Sequence, residues 1–225
     1  GLQGLSYVEA IGNLQKLADL RFDIGGYLFY NQNYEDCIQL TTLALDYYME
    51  QKDKRHEAFA YIQIGRVAER QDDTEKTVLY YDKALEVRKT LDDPTAVAES
   101  YAQYANFWLT LENYDKALEK AKQADLWNKK GAYRGLDNGI TALLGRALCG
   151  TNNYEMGKEK LLFALENAQK SKDTYSEMAI YQFIYEAAKN AKRFEESLNY
   201  CQKYIKTKSI VFNEEKQATI DELNI

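Results

Sequence analysis

Small and apolar residues recur along the chain with the spacing of amphipathic helices, and no segment of useful length alternates with the two-residue period of a strand. Polar three-residue signatures interrupt this pattern every 40 residues. They are Asn33-Tyr34-Glu35, Asp73-Thr74-Glu75, Asn113-Tyr114-Asp115, Asn153-Tyr154-Glu155 and Arg193-Phe194-Glu195. A period between about 20 and 50 residues is typical of stacked helical repeats. The pattern therefore predicts an all-α repeat protein.

Each signature has the chemistry of a helix start. Its first residue can accept hydrogen bonds from the first turn, and its acidic residue lies near the positive end of the helix dipole. Arg193 cannot accept such a bond, so the fifth start is predicted to be weaker. Small residues follow the signatures at Cys37, Thr77, Ala117, Gly157 and Ser197 and precede them at Gly25, Gly65, Ala105 and Gly145. Because glycine costs a helix about 1 kcal/mol, we expect close helix contacts at the glycines.

The two patterns together place the helices. The predicted ranges are 7–31, 34–51, 54–71, 74–91, 94–111, 114–129, 133–150, 153–171, 173–191, 194–207 and 209–225. The fourth unit is the least regular, because five glycines crowd the range 131–150. Two explanations remain open there: the helix starts late, or a neighbour packs unusually close to it.

The residues Tyr61, Ile64-Gly65, Thr74, Thr77, Tyr81 and Ala84 resemble the tetratricopeptide repeat consensus, and the resemblance covers roughly 18–207. It implies a right-handed α-α superhelix, or solenoid, of five helix pairs plus a C-terminal capping helix. The whole chain, 1–225, is then one domain. Its repeats are 7–53, 54–93, 94–132, 133–172 and 173–207, followed by a terminal helix over 208–225. The common repeat has about 34 residues, so a 40-residue unit requires longer helices or longer connections.

Composition excludes several classes of partner. Lys and Arg number 29 against 35 Asp and Glu, and the basic residues are scattered, so we expect no nucleic-acid binding by this segment. No run of about 18–20 apolar residues occurs, so no membrane span is expected within the segment. The segment is predicted to be soluble, and periplasmic if it is the ectodomain of a membrane sensor or otherwise cytoplasmic.

The sequence contains few residues or motifs suited to catalysis. His56 is the only histidine, and the common phosphate-loop, dinucleotide, metalloprotease and nucleophile-elbow motifs are missing. The acidic pairs Asp72-Asp73 and Asp92-Asp93 fall at helix connections, which favours capping over metal binding. Cys37, Cys149 and Cys201 have no CxxC spacing and are predicted to be buried thiols. We therefore expect no enzyme, no cofactor and no metal site.

In the repeat family the first helix of each pair lines the concave face, and the residue after the small position points into the groove. Here that residue is Gly26, Arg66, Asn106, Arg146 or Glu186, with Arg66 and Arg146 expected to face solvent. Arginine can bind a carboxylate or phosphate with two parallel hydrogen bonds. The same face carries Phe29, Tyr30, Ile62, Glu69, Arg70, Lys189 and Asn190. The alternative is that these side chains are simply solvated.

The predicted partner is a protein or peptide in this groove. A chaperone C-terminus is not expected, since Phe22, Ile62 and Ala102 replace the lysines of a carboxylate clamp. Long-repeat arrays resemble the sensor regions of bacterial histidine kinases and helix-turn-helix regulators, which implies the ligand-sensing region of a larger bacterial signalling protein. The segment 207–225 is then expected to continue toward an output module. A free-standing structural adaptor that assembles a protein complex remains the alternative.

Overall fold

The structure, a computed structural model, describes residues 12–131 and 134–223. Within those ranges it contains ten α-helices and no strand. The helices are α1 Leu14–Tyr30, α2 Tyr34–Glu50, α3 Lys54–Arg70, α4 Thr74–Lys89, α5 Pro94–Thr110, α6 Tyr114–Gly131, α7 Asp137–Gly150, α8 Tyr154–Ser171, α9 Thr174–Asn190 and α10 Phe194–Leu223. The predicted all-α repeat fold is confirmed.

Short connections fix the 40-residue period. Most of them contain three residues, as in 31–33, 51–53, 71–73, 111–113, 151–153 and 191–193. Helices α1 to α3, by comparison, each contain 17 residues. The residues beyond the common 34 per repeat therefore lie in longer helices and not in longer connections.

Most of the connections share one backbone conformation. Non-glycine residues with positive φ recur at intervals of 20 or 40, at Gln32, Lys52, Asp72, Glu112, Asn152, Lys172 and Lys192. A left-handed residue just after a helix ends it and lets the chain reverse. First helices of the pairs end in this way, and so do the second helices α2 and α8, whereas the connection 90–93 after α4 contains no such residue.

Aspartate and asparagine cap several helix starts, as predicted, but Asn33 and Asn153 make no side-chain cap hydrogen bond. Oδ1 of Asp73 accepts from the Lys76 N–H at 3.0 Å, and Oδ1 of Asp93 accepts from the Ala96 N–H at 3.0 Å. The capping interpretation of both acidic pairs is confirmed. Arg193 instead pairs with Glu155 and lies 4.6 Å from the centre of the Tyr154 ring, so it links the start of α10 to α8.

Both explanations for the irregular fourth unit apply. A 3₁₀ turn at Arg134–Leu136 precedes α7, which starts at Asp137 and not at 133. Close packing occurs as well, because a Cβ placed on Gly157 would lie 2.6 Å from the Gly145 carbonyl oxygen. No side chain fits between α7 and α8 at that point.

At the two ends the structure differs from the predicted helices. Of the first predicted helix, residues 7–11 lie outside the described part; the described helix starts at Leu14, after Gly12 at φ 72° and the cap Asn13. At the C-terminus, the predicted break at 208 does not occur, and α10 runs without interruption. The sequence 206–209 contains no glycine or proline, the residues that usually end a helix.

The described chain divides into two compact units between Ser100 and Tyr101. The core of unit 1 includes Leu45, Tyr61 and Ile64, and the core of unit 2 includes Leu165, Tyr181 and Ile184. In both, a leucine of one pair's second helix packs with residues of the next pair's first helix. The single-domain organisation with its repeat boundaries stays a prediction.

Candidate ligand-binding clefts

In unit 1 the predicted groove residues form an aromatic and arginine cluster. The Arg66 guanidinium carbon lies 4.4 Å from the centre of the Phe29 ring and 5.8 Å from that of Tyr30. Arg70 lies 5.9 Å from the Phe29 ring. Phe29 is buried and Tyr30 is 74% exposed. Arg66 is therefore half-buried on an aromatic surface, and Phe29 supports it from below instead of offering a free anchor.

Two other predicted residues of unit 1 are occupied within the protein. The Tyr81 hydroxyl donates to Glu69 Oε2 at 2.5 Å. Ile62 is half-buried and packs against the core. Both side chains already have partners within the protein, so neither is well placed to contact a ligand in the groove.

In unit 2 the predicted residues surround two clefts. The amide cleft, of about 940 Å³, is bordered by Asn106, Asn138, Arg146, Asn167 and Phe183. The tyrosine cleft, of about 830 Å³, is bordered by Tyr114, Arg146, Tyr154, Phe183, Glu186, Lys189 and Asn190. All five predicted site residues of this unit border one cleft or both, and Arg146 borders both.

Arg146 lies between the two clefts on an aromatic support. Its guanidinium carbon is 4.0 Å from the centre of the Phe183 ring, and the side chain is half-buried, not fully solvent-facing as expected. Burial lowers the pKa of Arg146, while Glu186 and Tyr114 oppose this shift. Arginine remains charged at neutral pH. The protein thus holds a partly desolvated cation, whose stacked face leaves the N–H edge for a ligand.

The sequence interpretation missed Phe183, Tyr114 and Tyr154 as cleft residues. Tyr154 borders the tyrosine cleft with its ring, while its hydroxyl is buried near the Glu196 carboxylate. Burial and this carboxylate raise the pKa of Tyr154, so the hydroxyl stays protonated. Tyr114 and Tyr154 share one position of the 40-residue signature, which was a signal that both lie on the same surface.

The clefts combine charge with amide groups. Arg146 and Lys189 are cationic, Glu186 is anionic, and Asn106 and Asn190 can both donate and accept. Burial raises the pKa of the Cys149 thiol to about 11, so this cleft cysteine is a poor nucleophile at neutral pH. Such a set can bind peptide groups and carboxylates.

The remaining candidates for chemistry lie elsewhere. Nδ1 of His56 is 2.7 Å from Asp53 Oδ2, and its ring stacks on Tyr48 at 5.0 Å. Cys37 is buried, whereas Cys149 and Cys201 are only half-buried. Among the described residues no group of three or more His, Cys, Asp or Glu side chains is placed to hold a metal ion.

None of the helices within the described ranges combines the length and the apolar character that crossing a membrane requires.

Solved structures share this architecture. TPR-like repeats of a kinesin light chain from Podospora anserina superpose with a TM-score of 0.68 at 12% identity, over 88% of this chain and 98% of theirs. The chain has the tetratricopeptide-repeat fold. No protein-family model matches the sequence, and no curated protein does.

Two further tetratricopeptide-type structures come from larger proteins. A Rap protein complexed with competence and sporulation factor has a TM-score of 0.62 at 12% identity, over 92% of this chain and 68% of its own. A signal transduction ATPase with a tetratricopeptide repeat sensor, from Pyrococcus horikoshii, has a TM-score of 0.72 at 19% identity, over 90% of this chain. This chain spans about a third of that ATPase, 32%. At these identities the likeness concerns the fold.

Proposed function

We propose that this chain is a non-enzymatic scaffold that binds an extended peptide or protein segment in the two clefts of unit 2. We further propose that it is the ligand-sensing region of a larger signalling protein. The observation that carries the proposal is Arg146, a partly desolvated cation stacked on Phe183 at the border of both clefts.

A peptide fits this arrangement better than a compact small molecule. The clefts share Arg146 and Phe183, so one extended ligand can pass the guanidinium and enter both. Asn106 on one side and Asn190 on the other can each pair with a backbone amide of such a ligand. An acidic side chain or a terminal carboxylate of the ligand then meets Arg146.

Fold neighbours support binding and sensing as roles for this architecture. One is a Rap protein complexed with competence and sporulation factor, and another carries a tetratricopeptide repeat sensor. Sensing by this chain requires that the ligand bind two conformations with different affinity.

The binding test is selection from a displayed random-peptide library, followed by affinity measurement with variants. We expect the selected peptides to contain an acidic residue or a free carboxyl terminus. Arg146→Ala should weaken their binding roughly 10- to 100-fold, because a hydrogen bond to a charged group contributes about 1.5–3 kcal/mol. Arg146→Lys should recover part of the affinity, since it restores charge without the bidentate edge.

Lys170→Ala is the matched control. Lys170 belongs to the same unit, is 69% exposed, pairs with Glu166 and lines neither cleft. Equal binding by the Arg146→Ala and wild-type proteins would refute the proposed site. The sensing role predicts in addition that a selected peptide alters the activity of an output module joined to this chain, and that Arg146→Ala abolishes the response.

A further inference from the structure

A small cavity lies in unit 1, where α3, α4 and the first turns of α5 meet. It has a volume of about 180 Å³, and the residues that border it include Arg55, Phe59, Arg88, Leu91, Asp93 and Glu99. We call it the Arg88 cavity. Its volume is close to that of a cavity of about 150 Å³ that binds benzene. It therefore admits a compact molecule and not a long segment of chain.

Arg88 is buried, yet part of its guanidinium is unused. The residue is 4% exposed. Its Nη1 donates to the Ala96 carbonyl at 2.7 Å and to the Ser100 hydroxyl at 3.1 Å. Nη2 and Nε have no hydrogen-bond partner within the described part of the chain, and neither is fully enclosed by protein atoms. These N–H groups therefore open toward the cavity that Arg88 borders, where they match the two oxygens of a carboxylate.

Four charges surround the cavity, and their sum is zero. Arg55 lies 3.5 Å from Asp93, and Arg88 lies 3.5 Å from Glu99. Charge-assisted N–H···O bonds are normally about 2.7–2.9 Å long, so neither pair is closed. A simple anion in the cavity would meet the two carboxylates, and a simple cation would meet the two arginines. A ligand that carries both charges satisfies both sets.

The 40-residue register shows that the fold does not require an ion at this position. Arg88 is equivalent to Tyr48, Asn128 and Ala168, which are buried and uncharged, and to the exposed Lys208. Removing a cation from water is costly, and an ion pair offsets this cost only when its geometry is good. The long contact with Glu99 does not meet that condition. Arg88 is thus a buried cation that has room for a closer anionic partner.

The connection after α4 is also unlike most of the others. It spans 90–93, which is four residues, and it contains no left-handed residue. Most connections have three residues and do contain one. Leu91 and Asp93 of this connection border the cavity. The cavity therefore lies where the chain departs from the regular turn of the array.

We infer that the Arg88 cavity binds a free α-amino acid with a small apolar side chain. Its carboxylate accepts from Arg88, and its ammonium group donates to Glu99. Because Arg88 and Glu99 lie only 3.5 Å apart, the two charges of the ligand must be close together, as they are on one carbon atom of an α-amino acid. Phe59, whose ring centre is 5.2 Å from the Arg88 guanidinium carbon, and Leu91 offer apolar surface to the side chain.

This inference concerns unit 1 alone. It does not rest on what the two clefts of unit 2 bind.

The test is isothermal titration calorimetry of the 225-residue chain with L-valine and two analogues. Isovalerate keeps the carboxylate and the apolar group but lacks the ammonium group, whereas isobutylamine lacks the carboxylate. We expect valine to bind and each analogue to bind roughly 10- to 100-fold more weakly, because each loses hydrogen bonds to charged groups.

Glu99→Gln separates ligand binding from a structural role. The Glu99 side chain is 47% exposed, so the variant should stay folded. It should weaken valine binding roughly 10-fold, because the ammonium group loses its anionic partner. Binding of isovalerate should stay unchanged or become tighter, because a repulsive charge has been removed. Glu86→Gln is the matched control, since Glu86 is 71% exposed, pairs with Lys89 on the same helix as Arg88 and does not border the cavity.

Arg88→Gln should abolish valine binding, with circular dichroism to show that the variant is folded. Absence of valine binding to the wild-type protein at up to about 10 mM would mean that water fills the cavity and would overturn the inference. Equal affinity for valine and either analogue would overturn it as well. So would valine affinity that is the same for Glu99→Gln and the wild-type protein.

Discussion

Gly157→Ala tests the close approach of helices α7 and α8. The added Cβ would lie 2.5 Å from Cys149 Sγ, 2.6 Å from the Gly145 carbonyl oxygen and 2.7 Å from the Cys149 nitrogen. Two of these atoms belong to the backbone, so a rotamer change cannot remove the overlap. Helices α7 and α8 must move apart.

Two opposing effects set the magnitude. Replacing a helical glycine by alanine gains about 1 kcal/mol from helix propensity. Overpacking a tight contact typically costs about 1–3 kcal/mol, and contact with backbone atoms belongs at the upper end of that range. We therefore expect Gly157→Ala to lower the free energy of unfolding by about 1–2 kcal/mol. For a chain of this size the melting temperature should fall by roughly 2–8 °C.

The assay is urea denaturation followed by circular dichroism, with hydrogen exchange of α7 and α8 to localise the effect. Hydrogen exchange is needed because repeat proteins can unfold in parts. Gly139→Ala in α7 is the matched control: it meets nothing within 4 Å and should leave stability unchanged or raise it. If Gly157→Ala proved as stable as the wild-type protein, the close packing described for α7 and α8 would be refuted.

Two further substitutions test the polar contacts. The Ser176 hydroxyl and N–H donate to Asp173 and lower the pKa of its carboxyl. This stabilisation is present above the unfolded pKa of about 4 and is lost as pH falls through the folded pKa. Asp173→Asn should therefore flatten the acid side of a pH–stability curve, and an unchanged curve would contradict the capping role. Arg88 is 4% exposed and donates to the Ala96 carbonyl at 2.7 Å. Arg88→Ala should therefore lower the free energy of unfolding in urea by about 1.5–3 kcal/mol, while the control Lys89→Ala, at an exposed neighbour, should stay within about 0.5 kcal/mol of the wild-type protein. Equal stability of Arg88→Ala and the wild-type protein would mean that desolvation of the guanidinium cancels its hydrogen bonds.

The helix positions could be predicted because their signals are local. Caps such as Asp73 and the 40-residue spacing are visible in the sequence, and both reflect interactions within one helix turn or one repeat. The late start of α7 was harder to place. Glycines over 131–150 signalled an irregularity, but they fit a delayed helix and a close contact equally well, and both occur.

The sequence predicted which helix surface carries the site, but not which side chains contact each other there. Repeat register put Arg146 and Glu186 on one surface, and both border the tyrosine cleft. Register did not reveal that Phe183, 37 residues further along, supports the Arg146 guanidinium. It also placed Phe29 on the groove face, whereas Phe29 is buried beneath Arg66. Which neighbour a long side chain leans on depends on the spacing of packed helices, and a single sequence does not encode that spacing locally.

The left-handed connector residues have a consequence for how such a chain can change in length. Because Lys52, Asp72 and Glu112 end helices of both types with the same backbone turn, a 40-residue segment such as 34–73 is a self-contained cassette. Its duplication or removal joins one such turn to another and keeps every downstream helix in phase. Gain and loss of whole cassettes is then a route by which an array can lengthen or shorten its binding surface, while point substitutions on the helix faces alter what that surface recognises.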